Sequence, residues 1–185
     1  MRLTENRKIA WIALAVCVLV SIFALGGGAL SQERGKVLRV FNDGTDTTLS
    51  VRHSMDAYLD SAGDAAKLMA NEAEARMGES DLGNGALDNA GLVGDDAADL
   101  DARYAAYTQL KDQVEKLYNG MYGAVSSEDF RDFKLAYDDF WGYDDMIGRD
   151  EYHGLAKAYN GLISGFPGGL VAKLTGQGAL NTFEG

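Results

Sequence analysis

A single proline, Pro167, in a chain of 185 residues leaves almost the whole sequence free to be helical, because proline is the residue that breaks a helix most strongly. The apolar residues use that freedom. Val51, Met55, Tyr58, Leu59, Ala62, Ala65, Ala66, Met69, Ala73 and Met77 fall at steps of three and four, the spacing that lines one face of a helix. The same spacing returns at Leu100, Tyr104, Tyr107, Leu110, Val114, Leu117, Met121 and Val125, and again at Phe130, Phe133, Tyr137, Phe140 and Trp141. No stretch alternates apolar and polar residues between tight turns, as a half-buried strand would. The chain is therefore expected to be all-α, an N-terminal transmembrane helix followed by an antiparallel bundle of three to four long helices.

The anchor is read from residues 9–30, which carry no charge. As a helix they would span ~33 Å, the thickness of the hydrocarbon layer. Trp11 lies near the start, where an indole prefers the interface. A cleaved signal peptide would explain the small residues Gly26 to Ala29, but the run is long for a signal core. A retained single-pass anchor over residues 1–30, with a short basic flank, is expected, and the bilayer is its partner through residues 9–30. Cys17, the only cysteine, lies inside the run, which excludes an intrachain disulfide and a cysteine metal site. Val16 before it suits a lipoprotein cut poorly. Ala13, Cys17 and Ser21 recur every four residues, a small face that permits helix pairing and a homo-oligomer, although membrane helices are rich in small residues anyway.

Orientation is nearly balanced: Arg2, Arg7 and Lys8 precede the run, and Arg34, Lys36 and Arg39 follow it. The short amino tail favours an N-terminus inside, with the domain on the extracytoplasmic side of the cell membrane. Charge then divides the chain. Residues 1–40 hold six Lys/Arg against two Glu, and residues 41–185 hold eleven against 26 Asp/Glu. So acidic a domain repels phosphates, and no nucleic acid partner is expected.

Residues 31–185 are read as one acidic bundle. Asn42-Asp43-Gly44 should end the helix leaving the anchor, and Thr47 or Thr48 should cap a long helix closing at Gly78. Residues 78–95 hold five glycines and are read as a Gly-rich loop, with Leu82, Leu87 and Leu92 docking a short turn. Asp95, Asp96, Asp99 and Asp101 are expected in the first turn of the next helix, where the dipole favours them. The Asp-x-Asp-x-Asp-Gly order of a calcium loop is missing. Ser126 with Asp129 is placed like a capping box.

The end of the domain carries Tyr152, Tyr159 and Phe166 at intervals of seven, with Leu155, Leu162 and Ile163 between them, before Pro167 stops the helix. Arg149 precedes them, His153 follows the first tyrosine, and Asn160 follows the second. This stretch, about residues 144–174, resembles the LemA proteins. Their C-terminal half carries Arg-x-x-Tyr-Asn, a second Tyr-Asn seven residues later, an aliphatic residue and Phe-Pro. The resemblance implies a helical bundle behind an uncleaved anchor, in a family without a settled biochemical role. His153 replaces the family's first asparagine, and the Asp-Leu-Ile-Pro-Asn motif of the first long helix is absent, so the resemblance is to a divergent member.

Little points to catalysis. His53 and His153 are the only histidines, and no nucleophile elbow, zinc-binding helix or phosphate loop occurs. Asp150-x-x-His153 is half of a carboxylate-bridged metal motif, but there is no second copy, even with Asp56, Asp60, Asp138, Asp139, Asp144 or Asp145 to help. No enzyme activity, cofactor or metal is expected. Arg149, Tyr152, His153, Tyr159, Asn160, Phe166 and Pro167 are the candidate interaction residues. His153 and Asn160 would either hydrogen-bond across the bundle and fix helix register, or face an unknown membrane or envelope protein. Gly154, Gly161 and Gly165 should mark a close helix approach, because each weakens a helix by ~1 kcal/mol. A sensor or signalling accessory binding a cation or small ligand is the alternative function. The apolar residues after Pro167, from Leu170 to Phe183, would fold back or lie on a membrane.

Overall fold

The computed structural model describes residues 7–21, 26–45 and 54–184, apart from the side chains of residues 8 and 19. Every regular element among them is helical: α1 (Arg7–Ser21), α2 (Gly27–Asp43), α3 (Met55–Met77), α4 (Asp81–Val93), α5 (Leu100–Met121), α6 (Ser127–Gly148), α7 (Tyr152–Ser164) and α8 (Gly168–Thr175). The all-α expectation holds. The chain forms two compact units, one of residues 1–38 and 154–180, the other of residues 39–153 and 181–185. Of the residues read as one acidic domain, 31–38 and 154–180 fall in the first unit, and 39–153 and 181–185 in the second.

The acidic unit contains the bundle. Three long helices, α3, α5 and α6, pack with the shorter α4, and α3 makes its largest contacts with α6 and α4. Its core follows the apolar spacing: Met55, Leu59, Ala62, Ala66, Met69 and Ala73 of α3 are buried, as are Tyr107, Leu110, Val114, Leu117 and Met121 of α5. On α6, Phe133 and Phe140 are buried, and Tyr137 stacks on Tyr118 with ring centres 4.0 Å apart. Ser126 caps α6 as expected, its Oγ accepting from the Asp129 N–H at 3.2 Å. Gly142 lies inside α6 without ending it.

Residues 78–95 are not a loop. Ser80 caps α4 by accepting from the Gly83 N–H at 3.1 Å, and the helix runs to Val93. Its buried face is Gly83, Ala86, Ala90 and Val93, at steps of three, four and three. These small residues let α4 come close to α3, where a Cβ on Gly63 would stand 3.0 Å from the Ala90 carbonyl oxygen. Packing at that distance offsets the entropic penalty of helical glycine. The expected start of α3 near Thr47, and Val51 with it, lies outside the described residues. Ser54 is the observed cap, with its Oγ accepting from the Ala57 N–H at 3.0 Å.

In the other unit, α1 is exposed along its described length. The run expected to span the membrane includes residues 22–25, which are not described. Among the described residues no helix is long and apolar enough to cross a membrane. The 15 residues of α1 would cover about 22 Å. The small core of this unit joins Leu30 to Val171 and Ala172, with Ile163 against them. Leu180 is buried, so this part of the tail folds back on the protein.

Candidate functional site

The most concentrated chemistry in the acidic unit surrounds Arg103, a residue the sequence reading passed over. One turn into α5, its side chain is 4% exposed. Nε donates to the Val93 carbonyl at 2.8 Å, holding the C-terminal end of α4. Nη1 lies 2.6 Å from Asp56 and 3.9 Å from Asp96, while Nη2 is 3.9 Å from Asp60. The guanidinium also sits 5.5 Å above the Phe41 ring. One carboxylate oxygen from each of Asp56, Asp60 and Asp96 falls within 4.8 Å of the others, a spacing that a cation can bridge. Here the guanidinium supplies the positive charge. Partial burial, together with the Asp56 and Asp96 carboxylates, pushes the Asp60 carboxyl above its usual range, against the pull of Arg103. An arginine three residues after Leu100 and four before Tyr107, on the apolar side of its helix, was the available signal, but helical spacing alone does not reveal its partners.

The aspartates before α5 therefore differ from the expected first-turn cluster. Only Asp101 stands in that turn, Asp99 occupies the cap without a side-chain bond, and Asp95 accepts from the Ala97 N–H. Asp96 belongs to the arginine. Asp144 gathers a second polar group. It accepts from the Tyr107 hydroxyl and from Lys111 Nζ, both at 2.7 Å. Burial, aided by that carboxylate, pushes the Tyr107 phenol far above its usual range. Tyr107 and Lys111 also line a cavity of about 410 Å³ with Tyr104, Thr108, Asp112 and Phe183. Tyr107 thus stays a hydrogen-bond donor and is no base at neutral pH.

The seven residues singled out in the sequence do not form one site. In the acidic unit Arg149 follows the last residue of α6 on the surface, paired with Asp145, and its Nε donates to the Asp145 carbonyl at 3.1 Å. Tyr152 is fully buried, with its hydroxyl donating to the Asn181 carbonyl at 2.8 Å and its ring 5.1 Å from that of Phe41. Buried His153 sets Nε2 at 2.6 Å from the Ile147 carbonyl, which assigns the proton to Nε2 because a carbonyl only accepts. It closes the end of α6 locally instead of bonding across the bundle, and Nδ1 has no partner among the described residues. Asp150 accepts from the Tyr152 N–H at 2.8 Å, starting α7. Each half of the Asp150-x-x-His153 motif is thus engaged separately in the backbone.

In the other unit, Asn160 holds Leu180 by both backbone groups. Its Nδ2 donates to the Leu180 carbonyl, and its Oδ1 accepts the Leu180 N–H, each at 2.8 Å. Asn160 therefore fixes an irregular tail segment, not helix register. The Tyr159 ring is buried, with its hydroxyl 3.5 Å from Gln177 Oε1. Phe166 is 90% exposed, so the seven-residue stripe does not extend to it, and its bond to Pro167 is cis. Added Cβ atoms on Gly154, Gly161 and Gly165 would meet nothing within 4 Å among the described residues. The close helix approach expected at those glycines is absent there. Gly168 is crowded for a local reason, since at the tight corner between α7 and α8 its Cβ would overlap the Leu162 carbonyl oxygen. No family model, curated protein or solved structure matches the chain.

Proposed function

We propose that this chain is a membrane-anchored, non-catalytic helical-bundle protein of the LemA kind, acting through protein–protein contacts at the cell envelope. Residues 9–30 form its retained single-pass anchor, and the acidic bundle faces the extracytoplasmic side. The observation that carries the contact role is a groove of about 360 Å³ along α3 and α6. Leu68 and Leu135 stand exposed in it, beside Asp64, Asp132 and Asp139. Apolar side chains rimmed by carboxylates suit a partner that presents apolar and basic residues together.

Crosslinking in native membranes tests this reading, using a photoreactive group at Leu135 in the full chain. A reproducible protein neighbour, lost when Leu68→Glu is added, is the expected outcome. A crosslink that survives Leu68→Glu, or none at all, overturns it. The alternative, a sensor taking up a cation, draws on the three aspartates around Arg103. It requires the ion to compete with a guanidinium already 2.6 Å from Asp56. A rise in melting temperature with millimolar calcium, abolished by Asp60→Asn, would favour that alternative.

A further inference from the structure

Exposed apolar surface is distributed unevenly between the two units. Among the described residues twelve large hydrophobic side chains of the first unit are exposed, against five in the larger acidic unit. Seven of the twelve belong to α1 and fit an anchor. The other five are Leu155 and Leu162 of α7, Phe166 in the corner that follows, and Leu170 and Leu174 of α8. They have no role in the core of this unit, which uses Tyr159, Ile163, Val171 and Ala172.

Charge separates the units in the same way. The first holds seven Lys/Arg against two Glu, whereas the acidic unit holds ten against 26 Asp/Glu. Residues 154–180 contain Lys157 and Lys173 and no carboxylate side chain. The depth of this surface is set by contacts within the unit. Leu30, the last residue of the apolar run, packs on Val171 and Ala172 of α8. Added Cβ atoms on Gly26 and Gly27 would stand 3.3 Å from Val171 and 2.9 Å from Thr175. α8 is therefore held against the very residues at which the apolar run ends. When residues 9–30 occupy a bilayer, those residues lie at the boundary between hydrocarbon and water.

We infer that the corner from α7 to α8, where Leu162, Phe166, Leu170 and Leu174 are exposed, is a second membrane contact, lying in the headgroup region of an anionic bilayer. This rests on the anchor proposed above. An apolar face without carboxylates, beside lysines, matches an interfacial helix. Anionic headgroups add about 1 kcal/mol for each nearby basic residue.

The test uses the full chain in vesicles and exploits its single cysteine. An environment-sensitive fluorophore on Cys17 reports the anchor. The same fluorophore in Phe166→Cys, with Cys17→Ser, reports the corner, and Phe166 is too exposed for its replacement to disturb the core. Spin-labelled lipids should quench both positions in vesicles containing phosphatidylglycerol. Quenching at 166 should fall by about half in purely zwitterionic vesicles, and again with Leu170→Glu, while that of Cys17 stays constant. Quenching at Cys17 alone overturns the inference and leaves the anchor intact. Failure at both positions removes the anchor with it. A crosslink from position 166 to a second copy or another protein, without lipid quenching, assigns the face to that partner and overturns the inference too.

Discussion

At the scale of single residues, Arg103 is the side chain on which most of the acidic unit's internal order converges. It neutralises Asp56, ties down the last carbonyl of α4 and covers Phe41. Arg103→Met would leave Asp56 without its cation at 18% exposure, and removing one partner of such a pair costs about 3–5 kcal/mol. Chemical denaturation of the full chain in detergent should register a loss of that order. Arg103→Lys should recover less than half of it, because an ammonium cannot reach the carbonyl and the carboxylate at once. Asp60 should behave in the opposite sense. Its folded carboxyl binds a proton more tightly than an unfolded one, so its ionisation opposes folding once pH rises past the usual aspartate range. The penalty is complete above the raised value and disappears below the ordinary one. Asp60→Asn should therefore raise the melting temperature at pH 7, with the gain shrinking as pH falls through the carboxylate range.

At the scale of elements, the helices that the sequence announces are those whose buried faces use large residues. α3, α5 and α6 present Leu, Met, Tyr and Phe at helical spacing, and their stripes match the observed cores closely. Met77, expected on the α3 stripe, is an exception at the last position of the helix, 47% exposed. α4 was illegible for a physical reason: glycine signals a break when read alone, and only the facing backbone turns it into packing. The step pattern of Gly83, Ala86, Ala90 and Val93 was the available sign. A paired substitution separates these two roles of glycine. Gly63→Val, pressed against the Ala90 carbonyl, should cost about 1–3 kcal/mol by overpacking. Gly91→Ala, on the exposed side of α4 with nothing within 4 Å among the described residues, should stabilise by about 0.5–1 kcal/mol. Similarly, the spacing of Tyr152 and Tyr159 announced buried rings. It could not announce that Asn160 would grip Leu180, because the partner is an irregular segment with no period of its own.

At the scale of the molecule, charge is the feature that the sequence revealed most fully and the fold sharpened. The acidic unit carries sixteen more carboxylates than cations. Its exposed pairs, such as Lys116 with Asp112 and Lys134 with Asp138, are screened by water and contribute little. Self-repulsion of the net charge outweighs them at low salt. Raising sodium chloride from about 0.01 to 0.5 M should increase the melting temperature, since screening shortens from ~30 Å to a few ångströms. A fall would mean that the ion pairs dominate.

The topology of the first unit also sets an order in time. Residues 1–38 are made first, residues 39–153 of the other unit come next, and only then do residues 154–180 arrive. Leu30 must wait for Val171 and Ala172, an interval on the order of ten seconds at the usual pace of translation. Throughout it the nascent chain presents an uncovered greasy end, the condition in which insertion machinery or a chaperone has time to act.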